Sequence, residues 1–193
     1  DTLCITDEIY EHIVFDGRSH VPMATLPGME ERTITVNGLS KTFSVTGWRI
    51  GYVVAPPHLS DAVRKVHEFL TVGAPAPLQE AAAVALEQGD AYYDELRAMY
   101  ERKRELLLVP LREAGFGCHR PEGAYYIMAD FSGLGFDGDD TAFAHHLITR
   151  VGVAPVPGSS FYNASPEGKR LVRFTFSKSD ETLAEAARRL ASL

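Results

Sequence analysis

Lys41 and Arg49 stand eight positions apart (49 minus 41) in the stretch NGLSKTFSVTGWRIGYV, among small, polar and glycine residues. Taken singly, a lysine or arginine is a solvated surface cation. A lysine held in a partly desolvated, cation-rich turn is different: its pKa falls, and its neutral amine can form a Schiff base with a carbonyl. An arginine nearby offers a two-pronged donor set that matches a phosphate dianion. Asp7, in the opening TLCITDEIY, adds a carboxylate. Facing a pyridine nitrogen, it would favour the protonated ring, because an opposite charge at contact distance stabilises the charged form. Amine, guanidinium and carboxylate together meet the requirements of pyridoxal 5'-phosphate, whose ring acts as an electron sink.

Three strands must position these groups. TLCIT, apolar and β-branched, predicts a strand over about Thr2–Thr6, which Asp7 follows directly. RTITVNG predicts a second near Thr33–Val36, with Lys41 a short polar turn beyond it, and RIGYVVAPP a third near Arg49–Ala55, stopped by two prolines. Ligands of open α/β sheets gather beyond the carboxyl ends of strands, so two strand ends would present a carboxylate and an amine to one crevice.

Helices then take over. LSDAVRKVHEFLTV carries Leu59, Val63, Val66, Phe69 and Leu70 at helical spacing, with Ser60 or Asp61 able to cap. APLQEAAAVALEQG is alanine-rich and stops at Gly89, and a long helix runs from Asp90 to about Ala114 with Pro110 kinking or interrupting it. After Gly115 the pattern is α+β: AYYIMADF as a strand, DDTAFAHHLITRVG as a helix, VAPVPG and LVRFTFS as strands, and a closing amphipathic helix capped by Ser179 or Asp180. A domain boundary is expected inside the long helix, near Tyr92.

DEIYEHIVFDG followed by ERTITVNGLSKTFSVTGWRIGYVVAP resembles the fold-type I, class I/II pyridoxal-phosphate aminotransferases, the branch with aspartate, kynurenine and methionine aminotransferases. The likeness continues through GAPAPLQEAA, PEGAYYIMADF, GVAPVPGSSFY and VRFTFSKSDETL, so it covers essentially the whole chain. It implies an α/β fold: part of the cofactor-binding large domain over 1–92, a mixed, mostly parallel sheet with helices, and a small α+β domain over 93–193. By the same resemblance Lys41 links the cofactor and moves the reacting proton, and Asp7 pairs with the pyridine nitrogen. Tyr10 would hydrogen-bond the phenolic oxygen, Arg49 and Ser40 the phosphate, and Arg173 would clamp the substrate α-carboxylate. Gly38 stands where many members carry a phosphate-binding serine.

Each residue alone has a plainer reading: Asp7 as a helix N-cap, Lys41 as a solvated lysine, Arg173 as a charge blunting a sheet edge. Trp48 reads as core packing, and the seven histidines show no catalytic spacing.

The net charge of −7 and pI near 5.5 argue against nucleic acid or an anionic membrane as the main partner. Cys4 and Cys118 lie far apart in no metal-ligand spacing, so no metal is expected and a reducing, cytoplasmic setting fits. No apolar run approaches the roughly 20 residues of a membrane helix. The chain opens without Met on a strand-like run, which suggests a processed chain or a fragment lacking the family's N-terminal half. That fragment would hide its exposed edges by forming a homodimer or by associating with the missing half. The expected activity is amino-group transfer between an amino acid and a 2-oxo acid. A carbon–sulfur β-lyase on the same fold and a non-catalytic aminotransferase-like module are the alternatives.

Overall fold

β1 (Cys4–Asp7), β2 (Thr33–Gly38) and β3 (Gly51–Val54) form a mixed sheet in that order, β1 parallel and β3 antiparallel to the central β2. The computed structural model describes residues 2–163 and 165–193. Contact density divides the chain into two units, Asp1–Leu96 and Arg97–Leu193.

In the first unit β1 starts two residues later than its apolar run suggests and ends on Asp7, so the carboxylate is the last residue of the strand. The third strand is shorter than RIGYVVAPP predicts and leaves Arg49 outside it, in the turn before. α1 (Pro57–Thr71) is not capped by Ser60 or Asp61. The two prolines that stop β3 open the helix, where a missing N–H costs nothing. Ser60 sits inside α1 and its hydroxyl donates to the Ala55 carbonyl at 2.9 Å. The apolar stripe of α1 stays largely open, with Phe69 92 % and Leu70 75 % exposed, as are Leu3 just before β1 and Ile5 on it. α2 (Ala76–Leu86) packs Ala82 against Leu39 and Ile50, a small core beneath the Lys41 turn.

Beside Asp7, Glu8 is buried and accepts hydrogen bonds from the Thr6 hydroxyl at 2.9 Å, the Met23 amide at 3.1 Å and His20 Nε2 at 2.8 Å. Burial alone pushes this carboxyl up, but the bonds from His20, Met23 and Thr6 outweigh it and hold the group below the usual carboxylate range. A folded-state pKa lowered in this way contributes stability that is present above the unfolded-state pKa and lost as pH falls through the folded one. Glu8→Gln should therefore destabilise the chain at neutral pH and flatten its loss of stability on acidification. Urea midpoints measured down the acid range check this, and parallel curves for parent and variant would refute it.

α3 (Asp90–Glu113) begins in the first unit and continues through the second as one helix, with Pro110 accommodated in its last turn. In the second unit it buries Tyr100, Arg104, Leu107, Leu108 and Leu111, which fall on one helical face. Arg104 is only 1 % exposed and donates to the Pro121 carbonyl at 2.7 Å. β4 (Gly117–Cys118), β5 (Tyr126–Asp130), β6 (Val156–Pro157) and β7 (Leu171–Thr175) make an antiparallel sheet ordered β4-β5-β7-β6. DDTAFAHHLITRVG is only half α-helix: α4 (Asp140–His146), capped by Asp139 accepting from the Ala142 amide, gives way to a wide π-turn over Leu147–Val151. α5 (Asp180–Leu190) is capped by Ser179 and buries Leu183 and Leu190.

Alternation along the strands sends Ile127, Ala129, Val172 and Phe174 into the core. Phe131 and Phe143 stack there at 4.2 Å. Ile127→Val should cost about 1 kcal/mol, the removal of one buried methylene with little room to collapse. A urea-midpoint shift of that size with unchanged slope checks it.

Candidate active site

A cavity of about 280 Å³ opens beyond the end of β1 and is lined by Asp7, Ile9, Asn37, Ser40, Lys41 and Arg49, among others. Its size lies near the lower end of small-ligand pockets, about 300 to 1,000 Å³. Carboxylate, hydroxyl, amine and guanidinium thus reach one space from strand ends and turns that are separated in sequence. Tyr10 does not line it; this residue sits half-buried in the turn after β1, where its carbonyl accepts the Ile13 amide at 2.9 Å.

No helix follows Asp7, so it is not an N-cap. Its Oδ1 accepts the Ile9 amide at 3.2 Å, an Asx turn that redirects the chain as the strand ends. The Lys41 turn is anchored on both sides of the lysine. Leu39 is buried against Ile50, the Tyr92 hydroxyl donates to the Thr42 carbonyl at 2.8 Å, and Phe43 stacks on Tyr92 at 5.2 Å. The Thr46 hydroxyl closes the loop on the Ser40 carbonyl at 2.9 Å. Arg49 adopts φ 55°, a left-handed conformation costly for a non-glycine residue, and its Nη1 donates to the Thr46 carbonyl at 2.9 Å. Arg49 lines the cavity from that turn, and the chain enters β3 two residues later at Gly51.

Gly38 and Gly51 face each other across β2 and β3. A Cβ at Gly38 would meet the Ile50 carbonyl oxygen at 2.9 Å, and one at Gly51 the Asn37 carbonyl oxygen at 2.8 Å. The two backbones approach too closely for a side chain, which accounts for glycine at both positions. Trp48 is 44 % exposed in this chain rather than packed in the core.

Arg173 lies in the second unit on β7, between β5 and β6. It is therefore no edge charge. Its guanidinium stacks on Phe161 at 4.3 Å and Tyr126 at 5.2 Å, and among the described residues it makes no hydrogen bond or ion pair. Cys118 offers no nucleophile, since burial pushes its thiol up to about 11.

Residues 1–190 match the family described as aminotransferase class I and II. The chain belongs to the class I and II aminotransferases. It is 41 % identical to the kynurenine–oxoglutarate transaminase of Dictyostelium discoideum, covering 100 % of this chain and 49 % of that protein. The solved structure of N-succinyldiaminopimelate aminotransferase from Mycobacterium tuberculosis superposes with a TM-score of 0.93 at 44 % identity, over 98 % of this chain and 49 % of that one. An Escherichia coli structure identified as a methionine aminotransferase gives 0.92 at 37 %, over 99 % and 50 %. This aminotransferase chain thus spans about half the length of the curated relatives it matches. Members of the family work with pyridoxal phosphate in general.

The cavity fits that cofactor by its donor set: a carboxylate for a pyridinium, an amine for an aldehyde, a guanidinium and a hydroxyl for a phosphate. Asn37, absent from the sequence-level candidates, also lines it. Its position four residues before Lys41 is the one signal that pointed there. Among the described residues no helix is long and apolar enough to cross a membrane.

Proposed function

We propose that this chain carries the cofactor-linking half of a pyridoxal-phosphate aminotransferase, and that the whole protein transfers an amino group between an amino acid and a 2-oxo acid. The observation carrying the proposal is the single cavity that gathers Asp7, Ser40, Lys41 and Arg49.

When bound, pyridoxal phosphate supplies the electron sink that stabilises the charge left at the substrate's Cα. Lys41 Nζ would hold the cofactor and would take up the proton leaving the substrate's Cα. Asp7 holds the proton on the ring nitrogen, an opposite charge that keeps the ring electron-poor. Arg49 and Ser40 would bind the phosphate, and Tyr10, which is not among the residues lining the cavity, would have to turn toward it from the segment after Asp7 to donate to the phenolic oxygen. Arg173, with its flat faces covered by rings and its N–H edges unspent, orients the substrate α-carboxylate.

In this reading 1–92 belong to the cofactor-binding large domain and 93–193 to the small domain. The open stripe of α1 and the half-length match support assembly as a homodimer or with a complementary N-terminal half. Two free cysteines suit a reducing cytoplasm.

The test is to add pyridoxal phosphate to the chain, record its visible band, reduce with borohydride and map the label by mass. Label concentrated at Lys41 supports the reading. Label scattered over surface lysines, or no band, removes it.

A further inference from the structure

Glu11 lies four residues beyond Asp7 in the turn segment after β1. Its Oε1 accepts from Asn37 Nδ2 at 2.6 Å, and Asn37 Oδ1 in turn accepts the Gly38 amide at 2.7 Å. Asn37 is 6 % exposed and lines the cavity. The same carboxylate meets the hydroxyl of Tyr52, the cross-strand partner of Asn37; burial first, and then the charge of Glu11, push that phenol up. One carboxylate therefore ties together the turn carrying Asp7 and Tyr10, the strand end that launches Lys41, and the strand that follows Arg49.

Backbone pairing of β1 with β2 ends at Asp7 opposite Val36, followed by the Glu8 amide on the Val36 carbonyl. Beyond that point the ladder between the two segments ends, and the Glu11–Asn37 side-chain bond joins them. A half-buried, charge-assisted bond to a buried amide suits that task, because its geometry is directional and breaking it strands Asn37.

We propose that Glu11 is a positioning residue, a strap that fixes the spacing between the segment after β1 that follows Asp7 and the end of β2 that leads to Lys41, both of which line the cavity. Its consequence for cofactor linkage rests on the function proposed above; the strap itself does not.

The test compares the full chain with Glu11→Ala, Glu11→Gln and Asn37→Ala, each first shown folded by circular dichroism. It reads exchange of the Gly38 amide and the rate at which borohydride fixes pyridoxal phosphate at Lys41. Glu11→Ala and Asn37→Ala should each speed Gly38 exchange and slow Lys41 labelling by about tenfold, with the double variant little worse than either. Glu11→Gln keeps an acceptor oxygen for Asn37 and should return both close to the parent. Should Glu11→Ala fail to fold, Asn37→Ala and Glu11→Gln carry the comparison. Unchanged Gly38 exchange, faster exchange with undiminished Lys41 labelling, or a Gln variant as impaired as Ala overturns the proposal. If the parent itself takes no label at Lys41, the cofactor reading fails separately. Gly38 exchange then decides the strap: acceleration in the alanine variants with recovery in Gln upholds it, and no acceleration overturns it.

Discussion

Lys41→Ala eliminates borohydride-fixable pyridoxal phosphate from its specific site, in this chain and in any longer form of the protein that contains it. The chain has five lysines, and Lys41 is the one that lines the cavity with Asp7 and Arg49. Its backbone is held by Leu39 on one side and by Thr42 and Phe43 on the other, so deleting the amine leaves the turn in place and removes only the nucleophile. Lys65, Lys103, Lys169 and Lys178 do not line that cavity, and label on them reports adventitious chemistry. The measurement is the mass of each lysine-bearing peptide after reduction. In the variant, label should fall to the background of the other four. Lys41→Arg discriminates further, since it keeps the cation but offers no amine for a Schiff base. A variant that keeps a specific, saturable label shows that another lysine links the cofactor.

How far the fold and the candidate site could be read in advance depended on whether their causes were local. Alternation of Ile127 and Ala129, and of Val172 and Phe174, follows from a period of two. The cap of α5 follows from a short polar side chain, Ser179, that accepts an amide three residues on. Strand ends likewise announced a carboxylate and an amine near one crevice. Features made by contacts distant in sequence were not legible. The clash that excludes a side chain at Gly38 comes from Ile50, twelve residues on (50 minus 38). Glu11 and Asn37 are 26 positions apart, and nothing in either local sequence marks the pair. The left-handed conformation falls on Arg49 itself and not on a glycine that would signal it, so the predicted strand began there, two residues before β3 does. The stripe of α1 was read correctly as helical spacing, but spacing says nothing of whether a partner covers it, and in this chain Phe69 and Leu70 are open.

Arg173→Ala, made in a complete enzyme, should weaken amino-acid binding by about 10² to 10³-fold while leaving the spectrum of the bound cofactor nearly intact. The size follows from the arrangement of the guanidinium. Phe161 and Tyr126 cover it at 4.3 and 5.2 Å, so its rotamer is held and its N–H edges are left for a planar, two-oxygen acceptor. A carboxylate that meets it gains two parallel charge-assisted bonds at little ordering cost. Lysine cannot reproduce this, because a single ammonium neither stacks on two rings nor forks, so Arg173→Lys should recover little of the loss. The fold should tolerate both changes: Arg173 points away from the core formed by Val172 and Phe174, and β7 remains paired on both sides. The deciding comparison sets KM for the amino acid beside the cofactor's absorption and the thermal midpoint. A raised KM with the other two unchanged assigns carboxylate recognition to Arg173. Collapse of the spectrum together with the midpoint would make it a structural residue whose ring contacts hold the sheet, and the substrate carboxylate would need another partner.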